Sequence, residues 1–369
     1  MMKIRSRKSY ARLTSEFFRT PWAILPEKLC EIAHVLAMAR AGEAIVAEEW
    51  APLRAAFEAR VAAARRASGA GIMVIPVFGI IAHRMNIMMQ YSGGTSTEML
   101  AKEFRAALND PDVGTIVLDF ESPGGDVFGL QEAADEIRAG RERKPVVAVA
   151  DAYAASAAYW LASAASEISI SPSGQVGSIG VWAMHEDISQ MLEMEGIKPT
   201  LISAGRFKTE GNSFEPLSDE ARTQIQKEVD AYYRDFVKAV ALGRGVTEKT
   251  IKQDFGEGRM ILADEALKLG MVDRIETLEQ VLTRLKSAGT KPGRGMAKGG
   301  LRIADDEDQG DAPGERETIT VQASNREEAP AAPDPAPALE TVAETPSACG
   351  FASDLTRREW DLRLRELES

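Results

Sequence analysis

Four apolar runs rich in β-branched residues punctuate the middle of the chain: IMVIPVFGII at Ile72–Ile81, TIVLDF at Thr115–Phe120, VVAVAD at Val146–Asp151 and ISISPSG at Ile168–Gly174. Runs of this length bounded by Gly, Pro and charged residues predict buried strands. Stretches of helical spacing such as Leu130–Ala139 lie between them, and that alternation predicts an α/β core with crossover connections over residues 68–286. Ahead of it, Glu27 to Arg66 is rich in Ala, Glu and Arg, with Leu29, Ile32, His34, Val35, Leu36 and Met38 at mixed helical spacing. Two helices are expected there, making residues 1–67 a helical N-terminal extension. Residues 287–369 read as a flexible tail, because APAAPDPAPA at Ala329–Ala338 places prolines too densely for a helix or a ladder. Leu355, Trp360, Leu362, Leu364 and Leu367 among charges at Ser353–Ser369 suggest a short terminal helix.

The 369 residues carry a net charge of −12, but the charge is not evenly spread. From Gly300 onward 17 Asp and Glu face 7 Lys and Arg, so the tail holds nearly all of it. A nucleic-acid surface needs a basic stripe, and only the short Met1–Lys8 stretch is basic; nucleic acid is not an expected partner. The two cysteines, Cys30 and Cys349, stand far apart without a cluster of further ligands, so no metal site is expected. No apolar stretch of signal-peptide or bilayer-spanning length is visible, which predicts no membrane partner and a cytoplasmic location.

The chemistry-bearing segments sit at the ends of the predicted strands. Ser122-Pro123-Gly124-Gly125-Asp126 follows TIVLDF; paired glycines there let backbone N–H groups point into a cleft, as a developing oxyanion needs. The same residues also suit a tight turn without a ligand. Ser156, amid small residues in Asp151-Ala-Tyr-Ala-Ala-Ser156-Ala-Ala-Tyr, stands at a strand-to-helix junction where a nucleophile would meet substrate and the helix N-terminus would favour negative charge. Alone, that segment equally suits helix packing. Gly177-Ser178-Ile179-Gly180-Val181 and Gly205-Arg206-Phe207-Lys208 complete the set.

These four segments, in this order and spacing, resemble the signal peptide peptidase A family of serine peptidases, within the caseinolytic-protease/crotonase superfamily, over about Ile72 to Leu282. The resemblance implies a repeated ββα spiral core and a Ser-Lys dyad: Ser156 attacks the carbonyl, Lys208 is the general base, and Ser178 holds the lysine amine. It also implies an oxyanion hole from the N–H groups of Gly125 and Ala157, with Gly124 beside them, no cofactor, and a homo-oligomer in which nucleophile and lysine face one another across a subunit boundary. Ala157 and Ala158 stand where the family often has glycines. An ordinary lysine holds its proton to about pH 10.4, so a base working near neutrality must be brought down by roughly 3 pH units, about 4 kcal/mol, chiefly by burial.

Phe17 to Leu29 further resembles the opening of phage and prophage head proteases of the minor capsid protein C type. That implies processing of scaffold, coat or portal proteins in the host cytoplasm or within proheads, with the acidic tail recruiting them. Met85–Met89, Phe128 and Trp182 are candidate pocket residues. Three other readings stay open: a triad using His185, a crotonase-like acyl-CoA enzyme, which would want paired glutamates where only Glu121 and Asp126 lie close and Asp126 better suits a turn or helix cap, and a non-catalytic assembly or scaffold protein derived from a peptidase.

Overall fold

The computed structural model describes residues 20–40, 47–84 and 93–288. The tail, its expected terminal helix and the Met85–Met89 stretch lie outside the described residues. The chain begins with β1 (Trp22–Ile24), α1 (Pro26–Arg40) and α2 (Ala47–Arg66), and continues with β2 (Ile72–Phe78), β3 (Ile80–Ala82), β4 (Gly94–Ser96) and α3 (Thr97–Asn109). Next come β5 (Thr115–Ser122), β6 (Gly124–Asp126), α4 (Leu130–Gly140), β7 (Val146–Ala155), α5 (Ala157–Ser163), β8 (Glu167–Ile170) and β9 (Gln175–Gly177). The remainder comprises α6 (Ser189–Met194), α7 (Asp219–Arg244), α8 (Glu248–Asp254), β10 (Met260–Leu262), α9 (Ala263–Lys268), β11 (Arg274–Ile275) and α10 (Leu278–Ser287).

The expected α/β class is observed. Strands β2, β5, β7, β8 and β9 run parallel in one sheet, with β10 added antiparallel to β9 and β11 parallel to β8. β7 serves two neighbours on one edge: Val147–Ala150 pairs with β8 and Tyr153–Ala155 with β9. The switch falls at Ala152, whose φ of 88° breaks the pleat as a bulge does. A second sheet has the order β1-β6-β3-β4.

Helix α3 buries Leu100, Phe104, Ala107 and Leu108, and α4 buries Leu130, Ala133, Ala134 and Ile137; both are i, i+3/i+4 stripes that seal the sheets. Helix α5 is buried along its whole length, with Trp160 stacked on Phe236 of α7 at 4.7 Å. Gly243 permits that approach, since a Cβ there would stand 2.1 Å from the Ser163 carbonyl oxygen. Helix α7 is capped by Ser218, whose hydroxyl accepts from Ala221 N–H, and ends on Gly245 in the left-handed region. Its last turns are buried, whereas most of its first four turns face solvent.

Candidate active site

Each of the two central motifs ends a strand that the core holds rigidly. β5 delivers Ser122-Pro123-Gly124-Gly125, and β7 delivers Ser156. The Ser122 hydroxyl donates to the Gly79 carbonyl at 2.6 Å and accepts from Gly124 N–H at 3.2 Å, fixing the turn. Gly124 has φ of 97°, and a Cβ built on it would lie 3.0 Å from the Ser156 Cβ. The fold therefore brings the glycine pair and the candidate nucleophile into contact. Gly125 is packed closer still: a Cβ there would meet the Ile81 carbonyl oxygen at 1.7 Å.

Ser156 is 1% exposed and has φ of 53°, a conformation that non-glycine residues seldom adopt. Ser178 has the same φ of 53°, and Gly177, the last residue of β9, has 119°. Such a cluster persists only where the surroundings over-determine it. Here they do: Ser156 N–H donates to Gly177 O at 2.8 Å, and Ser178 N–H to Arg259 O at 2.8 Å. The Ser156 hydroxyl reaches the Gly180 carbonyl at 3.4 Å and does not cap α5. The first bond of that helix is Trp160 N–H to Ser156 O, so the N–H of Ala157 has no acceptor within the helix.

Lys208 lies elsewhere in character. It sits in the irregular segment between α6 and α7, its side chain is exposed, and no hydrogen bond or ion pair joins it to Ser156 or Ser178 among the described residues. Neighbouring Arg206 donates to Glu220 on the first turn of α7 at 2.9 Å and stacks on Phe207 at 4.7 Å. His185 shares a 3.0 Å hydrogen bond with the Asn212 carbonyl, which gives a Ser156 triad no support. Glu121 pairs with Arg60 of α2, and the Asp126 carboxylate accepts Phe128 N–H at 3.1 Å, so neither is arranged as a crotonase-type acid or base.

A buried carboxyl, Asp119, and a half-buried one, Asp126, flank the motif. Burial pushes Asp119 up to about 7, helped by the charges of Asp151 and Glu121 and opposed by Arg60. Burial likewise pushes Asp126 up to about 7, against the backbone N–H bonds it receives. An open pocket beyond the Ala152 bulge is lined by Leu25, Tyr153, Ser173, Gln175 and Met260.

Strand β1 was not legible as part of this site. It runs antiparallel to β6, with Trp22 opposite Asp126, Ala23 opposite Gly125 and Ile24 opposite Gly124. The one available signal is an apolar run, WAIL, closed on both sides by Pro21 and Pro26, which suits a short strand better than a helix.

Residues 138–290 match Peptidase family S49. The match takes in Ser156, Ser178 and Lys208 and stops short of Gly124 and Gly125. Capsid assembly protease C of Escherichia phage lambda is 33% identical over 218 residues, 59% of this chain and 49% of its own length. Head-tail preconnector protein GP5 of Enterobacteria phage P21 is 34% identical over 229 residues, 60% of this chain and 45% of its own. A putative signal peptide peptidase SppA of Enterococcus faecium is 26% identical over 221 residues, covering 60% and 64%. The chain thus spans about half the length of the two phage relatives. The family S49 match and these relatives bear out the resemblance to signal peptide peptidase A-type serine peptidases and to the phage protein C type. A ClpP1 mutant of Listeria monocytogenes aligns with a TM-score of 0.35 at 16% identity over 57% of this chain and 94% of that one, too distant a likeness to carry an argument. No helix among the described residues is long and apolar enough to cross a membrane.

Proposed function

We propose that this chain is a serine endopeptidase that processes scaffold or capsid proteins during phage head assembly, with Ser156 as nucleophile and Lys208 as general base. The observation that carries the reading is the contact of Gly124 with a buried Ser156 of positive φ at the mouth of α5. An uncharged Lys208 amine takes the Ser156 hydroxyl proton as Oγ attacks a peptide carbonyl. The tetrahedral oxyanion is received by the N–H groups of Gly125 and Ala157. The protonated amine then gives its proton to the leaving amine, and water resolves the acyl-serine by the reverse sequence. Ser178 orients the lysine.

The exposed position of Lys208 supports a homo-oligomer, because a solvated ammonium is no base and a second copy can exclude the water. The printed names of the two phage relatives support head assembly as the setting. The test is mass spectrometry of coat, portal and scaffold proteins incubated with the wild type, Ser156→Ala and Lys208→Ala. Cleavage by the wild type, reduced about 10³-fold or more in both variants, is the expected outcome. Undiminished cleavage by Lys208→Ala would remove the dyad, and intact substrates with active-site labelling of the wild type would remove the phage substrates.

A further inference from the structure

The second sheet has at its edge a strand, β1, supplied from the chain ahead of the α/β core. β1 is bonded along both edges. On one edge Leu25 N–H donates to the Pro123 carbonyl at 2.9 Å. In an antiparallel ladder hydrogen-bonded pairs alternate, so the next such pair inward is Ala23 with Gly125, and while β1 is docked the Ala23 carbonyl takes the Gly125 N–H assigned above to the oxyanion. On the other edge Trp22 and Trp182 exchange two backbone bonds, 2.8 Å and 3.0 Å, and the Trp182 indole N–H donates to the Ile24 carbonyl at 3.2 Å. The strand is thus held between two edges in the manner of an extended peptide docked by strand addition.

Its register adds a second observation. A Cβ on Gly124 would stand 2.2 Å from the Ala23 carbonyl oxygen and 3.0 Å from the Ser156 Cβ. The two lengths share one point, so the Ala23 carbonyl and the Ser156 side chain are no farther apart than their sum. The side chains alternate accordingly: Ala23, fully buried, belongs to the main core with Ala154, Ala157 and Ala158, while Trp22 and Ile24 join a small separate cluster with Leu29, Ile32 and Ile80. That cluster ties β1 to α1, touches the second sheet through Ile80 and touches the segment after β9 through Trp182 and Met184.

We propose that Trp22–Ile24 is a built-in substrate mimic. It occupies the place of the scissile segment, with Ala23 as the residue whose carbonyl faces Ser156, and it must withdraw with α1 before another chain can add to β6. Its sequence then reports what the cleft accepts: a small residue between two large apolar ones in an extended segment. The proposal rests on the Ser156 reading given above.

The experiment uses the full chain and two probes: a fluorophosphonate that labels an active serine, and a quenched peptide containing Pro-Trp-Ala-Ile-Leu. Wild type, Trp22→Ala and Ile24→Asp are compared, with Ser156→Ala as the blank and melting curves to confirm folding. A docked mimic lowers the competent fraction, so loosening it raises labelling rate and kcat/KM by about tenfold or more and leaves kcat alone. Replacing the peptide's alanine by leucine abolishes cleavage. Equal rates in folded wild type and variants, or slower rates in both variants, would overturn the mimic while leaving Ser156 in place. Serine labelling absent from every protein would instead overturn the Ser156 reading, and the mimic with it.

Discussion

At the motif itself, the absence of side chains is the working feature. A methyl at Gly125 would fall 1.7 Å from the Ile81 carbonyl and one at Gly124 would fall 2.2 Å from that of Ala23, both with backbone that has nowhere to go. Gly124→Ala also meets φ of 97°. Either substitution is expected to displace β6 and cut kcat/KM by more than about tenfold, because an oxyanion donor misplaced by an ångström loses most of its effect; unchanged kinetics with an intact melting curve would refute this. Asp119 gives a second residue-scale prediction. The residue is 2% exposed, one carboxyl oxygen has no hydrogen-bond partner among the described residues, and its pKa is pushed up to about 7 from an ordinary 3.8. The folded state therefore holds the proton more tightly than the unfolded state, so the stability this group contributes is complete below about pH 4 and is lost as pH rises through 7. Asp119→Asn should flatten that slope and leave the variant more stable than wild type at pH 8, by up to about 4 kcal/mol. Part of the slope should persist, since Asp126 titrates in the same range. Denaturant midpoints measured from pH 4 to 8 that run parallel for the two proteins would count against it.

Secondary-structure elements differ in how far the sequence announces them, and the reason is where their stabilisation originates. β2, β5, β7, β8 and α4 carry their own burial pattern, so periodicity finds them. β6 is Gly-Gly-Asp, with no pattern to read, and exists because β1 and β3 pair with it. β1 in turn depends on residues a hundred and more positions away, so a window centred on it reads only a short run before a helix. The candidate site was legible as residue types, and the structure places Ser156 against Gly124; the positive-φ backbone of Ser156 and Ser178 was not legible, since no side-chain preference encodes it. At this scale Gly243→Ala is informative. The added methyl would strike the Ser163 carbonyl at the end of α5, the seven-residue helix that starts beside Ser156. A loss of about 1–3 kcal/mol is expected, and activity should fall at temperatures where the variant is still folded, because α5 shifts as a unit. Activity that tracks the folded fraction alone would disprove that coupling.

For the molecule as a whole, the proposed dyad is divided between a buried serine and an exposed lysine. If the dyad forms across a boundary between copies, specific activity should rise with protein concentration, in step with mass measured by light scattering. Mixing Ser156→Ala with Lys208→Ala should restore part of the activity that each lacks alone, since some interfaces then pair an intact serine with an intact lysine. A monomer with concentration-independent activity, or mixtures as inert as their components, would exclude that arrangement. The pairing of Arg206 with Glu220 adds a mechanical corollary. The far end of α7 is locked into the core by Phe236, Val237 and Val240, while its opening turns stand out in water, fastened to the loop that bears the amine. On the proposed dyad reading, a neighbour gripping those outer turns would also take hold, through Glu220 and Arg206, of a crank whose handle is position 208, so that joining the assembly and setting the base in place would be a single movement.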